Sequence, residues 1–273
     1  VKSILIIKKI KPDIVFSTGG YVTLAPALAS VILSIPLFIH EQNSVPGLVN
    51  RILNKFSKLT FEAFPDSFNK SSKIHTVGNP VRSGIIKNPP TEAKKKEQFN
   101  ILILGGSQGS KQLNEIVLKT FKDKTIPTNW CIVHQVGDLD KSSLVDVYSK
   151  QSFSYEVVSY IEDMGKAYHE SDLVIGRSGA MTVSEICCSS KPSILFPLPW
   201  AADNHQYFNA KFLEDKKASI LLESSLDSSD KLFTLLNDLE KDHNARHSMS
   251  LNAFDAFPVS SGNRIVEIIN ESF

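Results

Sequence analysis

Neither sign of charge predominates in this 273-residue sequence, since 30 lysine and arginine residues oppose 29 aspartate and glutamate residues and the formal net charge is +1. The balance gives no reason to expect nucleic acid as a partner. Cysteine is scarce, and the spacing of Cys131, Cys187 and Cys188 suits neither a metal site nor a disulfide framework, which indicates small buried residues in a reducing cytosol. A membrane-spanning run is also missing, because the longest apolar stretch, residues 24–39, is too short and is interrupted by two prolines.

What the sequence does contain is an alternation of short apolar runs and helical patterns along most of its length. DIVFS at residues 13–17 and ILIL at residues 101–104 are typical of buried strands, and each is followed by glycines and a helical pattern. Such alternation predicts an α/β protein with parallel sheets and helices on both faces, in which ligands bind at the carboxyl ends of the strands. Because 273 residues exceed what one core usually fills, we predict two doubly wound domains.

The domain boundaries follow from a polar stretch at residues 88–98, which contains two prolines and three consecutive lysines and is typical of a linker. We predict an N-terminal domain at residues 1–87, a C-terminal domain at residues 99–257, and a final helix at residues 258–273 that packs back toward the first domain. The first domain has fewer strands than a doubly wound domain usually needs, and the chain opens with Val1 rather than Met. We therefore expect that a segment precedes Val1 and completes this domain.

A glycine-rich loop, GGSQG at residues 105–109, follows the strand ILIL and precedes a helix. Glycine lets the backbone approach a phosphate closely, and the following helix supplies free N–H groups and positive potential. Ser107 adds a hydroxyl donor, so we favour a phosphate-facing loop over a turn that merely requires glycine. The dinucleotide-binding fingerprint is excluded, because the G-x-G-x-x-G spacing is absent and no acidic residue closes the next strand.

A second strand-to-helix junction carries RSGAMTVSE at residues 177–185. Ser178 and Gly179 form the predicted turn, and the amides of residues 180–184 begin the helix, where they can face a diphosphate. Glu185 lies further into the helix, and its carboxylate can accept both hydroxyls of a ribose held by that diphosphate. A second interpretation stays equally open, in which Glu185 only interacts favourably with the helix dipole.

Three further polar motifs follow predicted strands: HEQN at residues 40–43, GNPVR at 78–82 and DNHQ within 203–206. HEQN comes directly after a buried strand and is expected to point into a cleft. Arg82 is a candidate phosphate clamp, since it follows a strand and a glycine. Asp203 is predicted to cap the next helix, and His205 and Gln206 in its first turn can read sugar hydroxyls.

Metal chemistry is not indicated by these motifs. HEQN lacks the H-E-x-x-H pattern of zinc proteases. Asp138-Leu139-Asp140 is similar to the acidic metal motif of many glycosyltransferases, but its position at a predicted helix start favours helix capping. We therefore predict no metal site and no cofactor.

Together the motifs match one family. TGGYV at residues 18–22, HEQN, GNPVR, GGSQG, RSGAMTVSE and DNHQ occur in the order and approximate spacing seen in the MurG family of glycosyltransferases, part of glycosyltransferase family 28. The chain resembles this family over nearly its whole length, and the set is very specific although each motif alone is weak. The resemblance implies a GT-B architecture, with two Rossmann-like domains and the active site in the cleft between them.

The resemblance also implies that the C-terminal domain binds UDP-N-acetylglucosamine. The backbone of Ile161 would read the uracil edge, and Glu185 would hold the ribose. Ser107 and Arg82 would lie near the phosphates. The diphosphate and nearby groups would contact the first helical residues after Gly179, namely Ala180, Met181, Thr182, Val183 and Ser184.

The sugar half of the implied site draws on both domains. Gln206, together with Asp203, would bind the N-acetylglucosamine hydroxyls, and Asn43 would reach the donor from the N-terminal domain.

The family reaction is an inverting transfer without a required metal, in which the 4-hydroxyl of the N-acetylmuramyl residue of lipid I attacks the anomeric carbon and UDP leaves. The product, lipid II, serves peptidoglycan synthesis, and through it cell shape and division. The family's candidate general base is the histidine of a GGTGGH-type loop, which has no counterpart in this sequence, so the catalytic residue stays unknown.

Partners other than the donor and lipid I are implied less sharply. The family associates with the cytoplasmic face of the membrane as a peripheral protein, and the candidate surface here combines apolar and basic residues: Ile4, Leu5, Ile6, Ile7, Lys8, Lys9, Lys11, Val31 and Ile32. The alternative is that these are core residues beside solvated charges. Two other functions stay open, a UDP-N-acetylglucosamine 2-epimerase-like enzyme and a truncated UDP-sugar-binding remnant without activity.

Overall fold

Within its described residues, the computed structural model of the chain forms two parallel β-sheets. The described residues are 1–86, 90, 97–106, 109–122, 124–139 and 141–273. Residues 1–80 and 257–273 form one compact unit, and residues 81–256 form another. The predicted α/β class with parallel sheets is confirmed. The predicted linker at residues 88–98 falls largely outside the described residues, so the predicted domain boundaries stay a prediction.

The strands, in chain order, are β1 (Val15–Ser17), β2 (Leu37–Glu41), β3 (Leu59–Glu62), β4 (Ile74–Thr76), β5 (Phe99–Leu104), β6 (Trp130–Gln135), β7 (Ser154–Val158), β8 (Leu173–Gly176), β9 (Ser193–Leu195) and β10 (Ser219–Leu221). The α-helices are α1 (Lys2–Ile10), α2 (Tyr21–Ile32), α3 (Leu48–Leu53), α4 (Lys111–Phe121), α5 (Ser142–Ser149), α6 (Met164–Glu170), α7 (Ala180–Cys188), α8 (His205–Asp215), α9 (Ser228–Lys241), α10 (His243–Ala256) and α11 (Ser261–Glu271). Short 3-10 helices cover Ser83–Ile85 and Ala202–Asn204.

The four-stranded sheet of the first unit, in the order β1-β2-β3-β4, is apolar on both faces. Successive residues of a strand point to opposite faces, and every residue of β2 is buried. Ile39 packs with Ala27 of α2 and Leu53 of α3. Phe38 packs in a separate cluster that includes Ile265 of α11. The C-terminal helix therefore belongs to the core of the first unit.

The six-stranded sheet of the second unit has the order β10-β9-β8-β5-β6-β7. The chain starts at the central strand β5, continues outward through β6 and β7, and then returns to β8 on the other side of β5. Strand order therefore reverses between β5 and β8, where Leu104 pairs with Gly176. Ligands of such sheets bind beside the point of reversal at the carboxyl ends of the strands. In this unit that is where the loops after Leu104 and Gly176 lie side by side.

Two predicted helix caps are wrong. α5 begins at Ser142 with Lys141 at the N-cap position, so Asp138 does not cap it, and Asp140 lies outside the described residues. α8 begins at His205 with Asn204 at the N-cap position, and Asp203 lies one residue earlier within a 3-10 helix. Capping preference ranks residue types, but it does not decide at which of several neighbouring polar residues a helix starts.

A search of the helices in the described part of the chain finds none that is both long enough and apolar enough to cross a bilayer.

Candidate functional site

The loop after β5 approaches a neighbouring strand end so closely that its last position accepts only glycine. A Cβ atom at Gly109 would lie 2.3 Å from the carbonyl oxygen of Val136, and the residue has a φ of +77°. Ser110 follows and caps α4 with its hydroxyl oxygen. The backbone at Gly109 therefore packs against the end of β6 and leads directly into α4, and glycine at such a position also lets a phosphate approach the backbone closely. Ser107, predicted to contact a phosphate, lies outside the described residues.

A buried arginine ties this loop to two neighbouring strand ends. Arg177 Nε donates a hydrogen bond to Ser110 Oγ at 2.8 Å. Its Nη1 atom donates to the carbonyl oxygens of Phe196 and Pro197 at 3.0 and 3.2 Å, and its Nη2 atom donates to Gln112 Oε1 at 3.1 Å. Burial lowers the pKa of Arg177 to about 10, which leaves the guanidinium charged at neutral pH. Sequence reasoning gave this residue no role, although a charged residue directly after a fully buried strand was the available signal.

The N-terminus of α7 presents unpaired backbone donors beside the same loop. Gly179 is the N-cap residue and provides no side-chain cap. The first N–H groups of a helix have no partner within it, so the amides of Ala180, Met181 and Thr182 are available to an anion. The amide of Val183 donates to the carbonyl oxygen of Gly179 at 3.0 Å, which makes it part of the helix ladder rather than a free donor.

Ser184, also predicted near the diphosphate, is buried, and its hydroxyl donates to the carbonyl oxygen of Ala180 at 2.8 Å. Its contribution is therefore to the first turn of α7.

Glu185, one turn into α7, has a partner that sequence reasoning missed. Tyr168 of α6 donates its hydroxyl to Glu185 Oε2 at 3.0 Å. Burial raises the pKa of Glu185, while the Tyr168 hydrogen bond and the positive charge of Arg82 act in the opposite direction. The structure therefore brings Arg82 and Glu185 within electrostatic reach of each other. A buried tyrosine in an apolar helical pattern gives no signal in the sequence, which is why Tyr168 was missed.

Gln206 is held against the loop that follows β9. Its Oε1 atom accepts the N–H of Leu198 at 2.9 Å, and its backbone carbonyl accepts the hydroxyl of Ser178 at 2.8 Å. Ser178 in turn accepts from Asn209 Nδ2 at 3.1 Å through its backbone carbonyl. The carboxamide NH₂ group of Gln206 is thus the part of the side chain that can reach a ligand.

Ile161 lies in the segment between β7 and α6, at the same carboxyl edge of the sheet. Asp163 begins α6 as its N-cap residue and accepts the amide of Lys166 at 2.9 Å. The cap fixes where the extended segment ends, and it leaves the backbone of Ile161 just before the helix.

Asn43 belongs to the first unit, where the HEQN motif is organised around a buried carboxylate. Glu41 is 2% exposed; its Oε1 atom accepts the amide of Asn43 at 3.0 Å, and its Oε2 atom accepts the amide of Gly47 at 3.0 Å. Asn50 Nδ2 donates to the same Oε2 atom at 2.9 Å. Glu41 is therefore a loop-forming residue, and its satisfied oxygens are poorly suited to proton abstraction.

His40 of the same motif is equally unavailable as a base. Its Nε2 atom lies 3.0 Å from the carbonyl oxygen of Gly78, and its Nδ1 atom lies 3.1 Å from Gln42 Nε2. A carbonyl needs a donor and an amide NH₂ needs an acceptor, so these contacts suit the neutral imidazole protonated at Nε2. Burial lowers the pKa of His40, which also favours the neutral imidazole.

Metal ligands are not assembled anywhere in the part of the chain that the structure describes, since no three His, Cys, Asp or Glu side chains there could hold an ion together. The positive groups at the carboxyl edge of the second sheet are instead the α7 amides, Arg82 and the charge of Arg177. They are the groups that can stabilise a diphosphate.

The carboxyl edge of the second sheet offers unpaired helix amides beside a half-buried carboxylate, and this arrangement suits a nucleotide diphosphate. Two α/β units, each with a parallel sheet, are the components of a GT-B glycosyltransferase. The chain belongs to glycosyltransferase family 28. The model of the family's C-terminal domain matches residues 100–265, and the model of its N-terminal domain matches residues 1–62. The fold and the family predicted from the sequence are confirmed.

Individual relatives are similar over most of the chain. A Coxiella burnetii protein named UDP-N-acetylglucosamine–N-acetylmuramyl-(pentapeptide) pyrophosphoryl-undecaprenol N-acetylglucosamine transferase is 39% identical over 91% of this chain and 70% of its own length. The crystal structure of Acinetobacter baumannii MurG is 33% identical, with a TM-score of 0.83, over 98% of this chain and 77% of that one. A putative UDP-N-acetylglucosamine 2-epimerase from Listeria monocytogenes has a TM-score of 0.70 at 13% identity, over 98% of this chain and 76% of that one, which shows a shared fold alone.

Proposed function

We propose that this chain transfers N-acetylglucosamine from UDP-N-acetylglucosamine to the 4-hydroxyl of the N-acetylmuramyl residue of lipid I, with inversion, to give lipid II for peptidoglycan synthesis. The observation that carries the proposal is the 39% identity to a transferase named for this donor and acceptor, over 91% of the chain. Through its product the reaction serves cell wall biogenesis, cell shape and cell division.

The donor half of the mechanism follows from charge. Transfer leaves negative charge on the departing UDP, and preorganised donors in a partly water-excluded site stabilise such charge. The amides of Ala180, Met181 and Thr182 point from a helix N-terminus, which carries positive potential. Arg82 adds a full positive charge near Glu185. These groups take the role that a metal ion plays in other sugar-nucleotide enzymes.

The nucleoside half is held by α6 and α7. The backbone of Ile161 reads the uracil edge, and Glu185 accepts the ribose hydroxyls. Gln206 donates hydrogen bonds from its carboxamide NH₂ group to the N-acetylglucosamine hydroxyls. Asp203, three residues earlier in the chain, binds the same hydroxyls. Asn43 of the first unit is a further proposed contact to the donor, and Ser107, predicted near the phosphates, lies outside the described residues. The general base that deprotonates the acceptor hydroxyl stays unassigned, because His40 and Glu41 are committed to loop contacts.

The direct test is transfer of radiolabelled N-acetylglucosamine from its UDP form to a lipid I analogue. The assay uses this chain and any longer product of the same reading frame. Formation of labelled lipid II by either version supports the proposal. Conversion of UDP-N-acetylglucosamine into UDP-N-acetylmannosamine, with no transfer to the acceptor, would instead identify a 2-epimerase, and donor binding without turnover in both versions would favour a binding protein.

Membrane association is part of the same proposal, because lipid I resides in the bilayer. We infer that the chain acts as a peripheral protein on the cytoplasmic face. Leu5, Ile6 and Ile10 of α1 are 62, 56 and 66% exposed, and Lys8, Lys9 and Lys11 are close to them along the chain. Apolar side chains beside basic charge bind anionic interfaces.

The other candidates of this surface differ in exposure. Ile7 is only 7% exposed and belongs to the buried core, whereas Ile4 is half-buried, so neither is a well-exposed part of the surface. Ile32 is 68% exposed, whereas Val31 is half-buried. Sequence alone did not separate them, because α1 is apolar at four consecutive positions.

We expect the double substitution Leu5→Glu and Ile10→Glu to weaken binding to vesicles that contain phosphatidylglycerol by roughly tenfold, since apolar burial is lost and like charge is added. Co-sedimentation of protein with vesicles measures the effect. Val266→Glu is the matched control, because Val266 is 57% exposed on α11 and outside the proposed surface. Equal sedimentation of all three proteins would contradict the assignment of this surface.

A further inference from the structure

Tyr168 is a fully buried tyrosine whose hydroxyl faces the carboxylate proposed to hold the ribose. Its Oη atom donates to Glu185 Oε2 at 3.0 Å, and its side chain is 0% exposed. A carboxylate that accepts a buried donor on one oxygen has a restricted orientation, because breaking the bond would leave that donor unsatisfied. We propose that Tyr168 is a positioning residue, which engages Oε2 of Glu185 and so directs Oε1 to the ribose hydroxyls of the donor. The inference rests on the proposed function.

The helix that carries Tyr168 is fixed at both ends, which is necessary if its hydroxyl is to position anything. At the N-terminus, Asp163 accepts the amide of Lys166 at 2.9 Å. At the C-terminus, Lys191 Nζ donates to the carbonyl oxygens of His169 and Ser171 at 3.2 and 2.6 Å. Lys191 is 6% exposed and follows α7 in the chain, so it connects the end of α6 to the helix of Glu185.

α6 also contacts the segment that carries Arg82. A Cβ atom at Gly165 would lie 2.4 Å from the carbonyl oxygen of Gly84, so this position admits only glycine at the present separation. His169 Nε2 lies 3.3 Å from the carbonyl oxygen of Ile85. One short helix thus joins the segments proposed to hold the uracil, the ribose and the phosphates.

The hydrogen bond also favours the useful protonation state of the carboxyl group. Burial raises the pKa of Glu185, and the Tyr168 hydroxyl lowers it, since it donates to the charged form. An ionised carboxylate accepts from both ribose hydroxyls, whereas a protonated one offers a donor in place of an acceptor. Burial and the adjacent carboxylate raise the pKa of Tyr168 well above its ordinary value, so the phenol remains a donor throughout the working pH range.

The test compares Tyr168→Phe with the unchanged chain, using calorimetric affinities for UDP and 2′-deoxy-UDP. We expect Tyr168→Phe to weaken UDP binding by roughly three- to tenfold, because a less restricted Glu185 keeps only part of the roughly tenfold or more that each hydrogen bond to a charged group contributes. Binding of 2′-deoxy-UDP, which lacks one of the hydroxyls that Glu185 accepts, should fall much less. The ratio of the two affinities should therefore shrink in the variant.

Tyr148→Phe is the matched control. Tyr148 is also 0% exposed in the second unit, and its hydroxyl lies 3.0 Å from His134 Nδ1. Its loss removes a buried hydrogen bond away from Glu185, so thermal stability should fall while the UDP to 2′-deoxy-UDP ratio stays unchanged. A purely structural role for Tyr168 would give this same result.

A pH profile supplies an independent readout. Loss of the hydroxyl donor raises the pKa of Glu185, and binding through the carboxylate is lost as pH falls through that pKa. The acid limb of UDP binding should therefore move to higher pH in Tyr168→Phe and stay in place in Tyr148→Phe.

Three results would overturn the inference. If the unchanged chain discriminates UDP from 2′-deoxy-UDP but Tyr168→Phe keeps the same ratio and the same acid limb, Tyr168 does not position Glu185 and the proposed function survives. If the unchanged chain binds both ligands equally, the ribose role of Glu185 fails and the inference fails with it. If neither the unchanged chain nor any longer product of the same reading frame binds UDP, the proposed function itself is contradicted.

Discussion

Glu185→Ala should weaken binding of UDP-N-acetylglucosamine about 100-fold, because two hydrogen bonds from ribose hydroxyls to a charged group contribute about 1.5 kcal/mol each. The carboxylate lies one turn into α7, beside the helix amides proposed to hold the diphosphate. Isothermal titration calorimetry measures the loss directly. Since burial raises the pKa of Glu185, the unchanged chain should also lose affinity on acidification earlier than an ordinary carboxylate would require.

Two controls separate binding from folding in this experiment. Glu185→Gln keeps an oxygen that can accept the Tyr168 hydroxyl, so it should fold like the unchanged chain and lose the acid limb of the binding profile. Glu214→Ala removes a half-exposed carboxylate that pairs with Lys211 on α8, and it should leave donor affinity unaltered. A folded Glu185→Ala protein with undiminished affinity would leave only the helix-dipole interpretation of this residue.

Arg177→Ala should lower the free energy of unfolding by about 3 kcal/mol and abolish measurable donor binding. Arg177 is 8% exposed and its guanidinium donates to Ser110, Phe196, Pro197 and Gln112, so its removal leaves several buried acceptors unsatisfied at about 1 kcal/mol or more each. Three strand-end loops at the proposed phosphate site would lose their common partner. Urea unfolding followed by circular dichroism gives the stability, and calorimetry gives the binding.

The design again includes matched substitutions. Arg264→Ala removes an exposed arginine that pairs with Glu267 on α11, and it should cost less than 1 kcal/mol. Arg177→Lys keeps the charge but not the planar fork, so it should recover part of the stability and little of the binding. Recovery of full binding by the lysine variant would mean that charge alone, rather than the fixed geometry of the loops, is what the donor needs.

The fold, and the carboxyl edge of the sheet at which the candidate site lies, were predictable from short-range patterns. Apolar runs such as ILIL at residues 101–104 are long enough only for strands, and glycines directly after them mark turns at the carboxyl ends of a parallel sheet. The motif at residues 177–185 also identified α7 to within a residue, because a serine-glycine turn directly after a buried strand leaves little choice of where the helix starts. In both cases the information is local along the chain.

The contacts that give these residues their roles were not predictable in the same way. Tyr168 meets Glu185, Arg177 meets Ser110, and Lys191 caps the end of α6 only after the sheet has brought distant segments together. Burial, and with it the direction of each pKa shift, depends on the same packing. Solvent exposure likewise differs between Ile7, which is buried, and Leu5, which is exposed, although the sequence shows both only as apolar residues of the same helix.

The sequence by itself therefore determined the α/β class, the family and the order of the ligand-facing motifs, since each depends on spacing within one segment. Only the tertiary structure decided which side chains of those motifs spend their hydrogen bonds within the fold and which keep polar groups that can reach a ligand. HEQN illustrates the division: its four polar letters look equivalent, yet Glu41 and His40 are occupied by backbone groups of the fold. Each polar side chain has a fixed number of donors and acceptors, and only proximity in the folded structure determines which groups they bind.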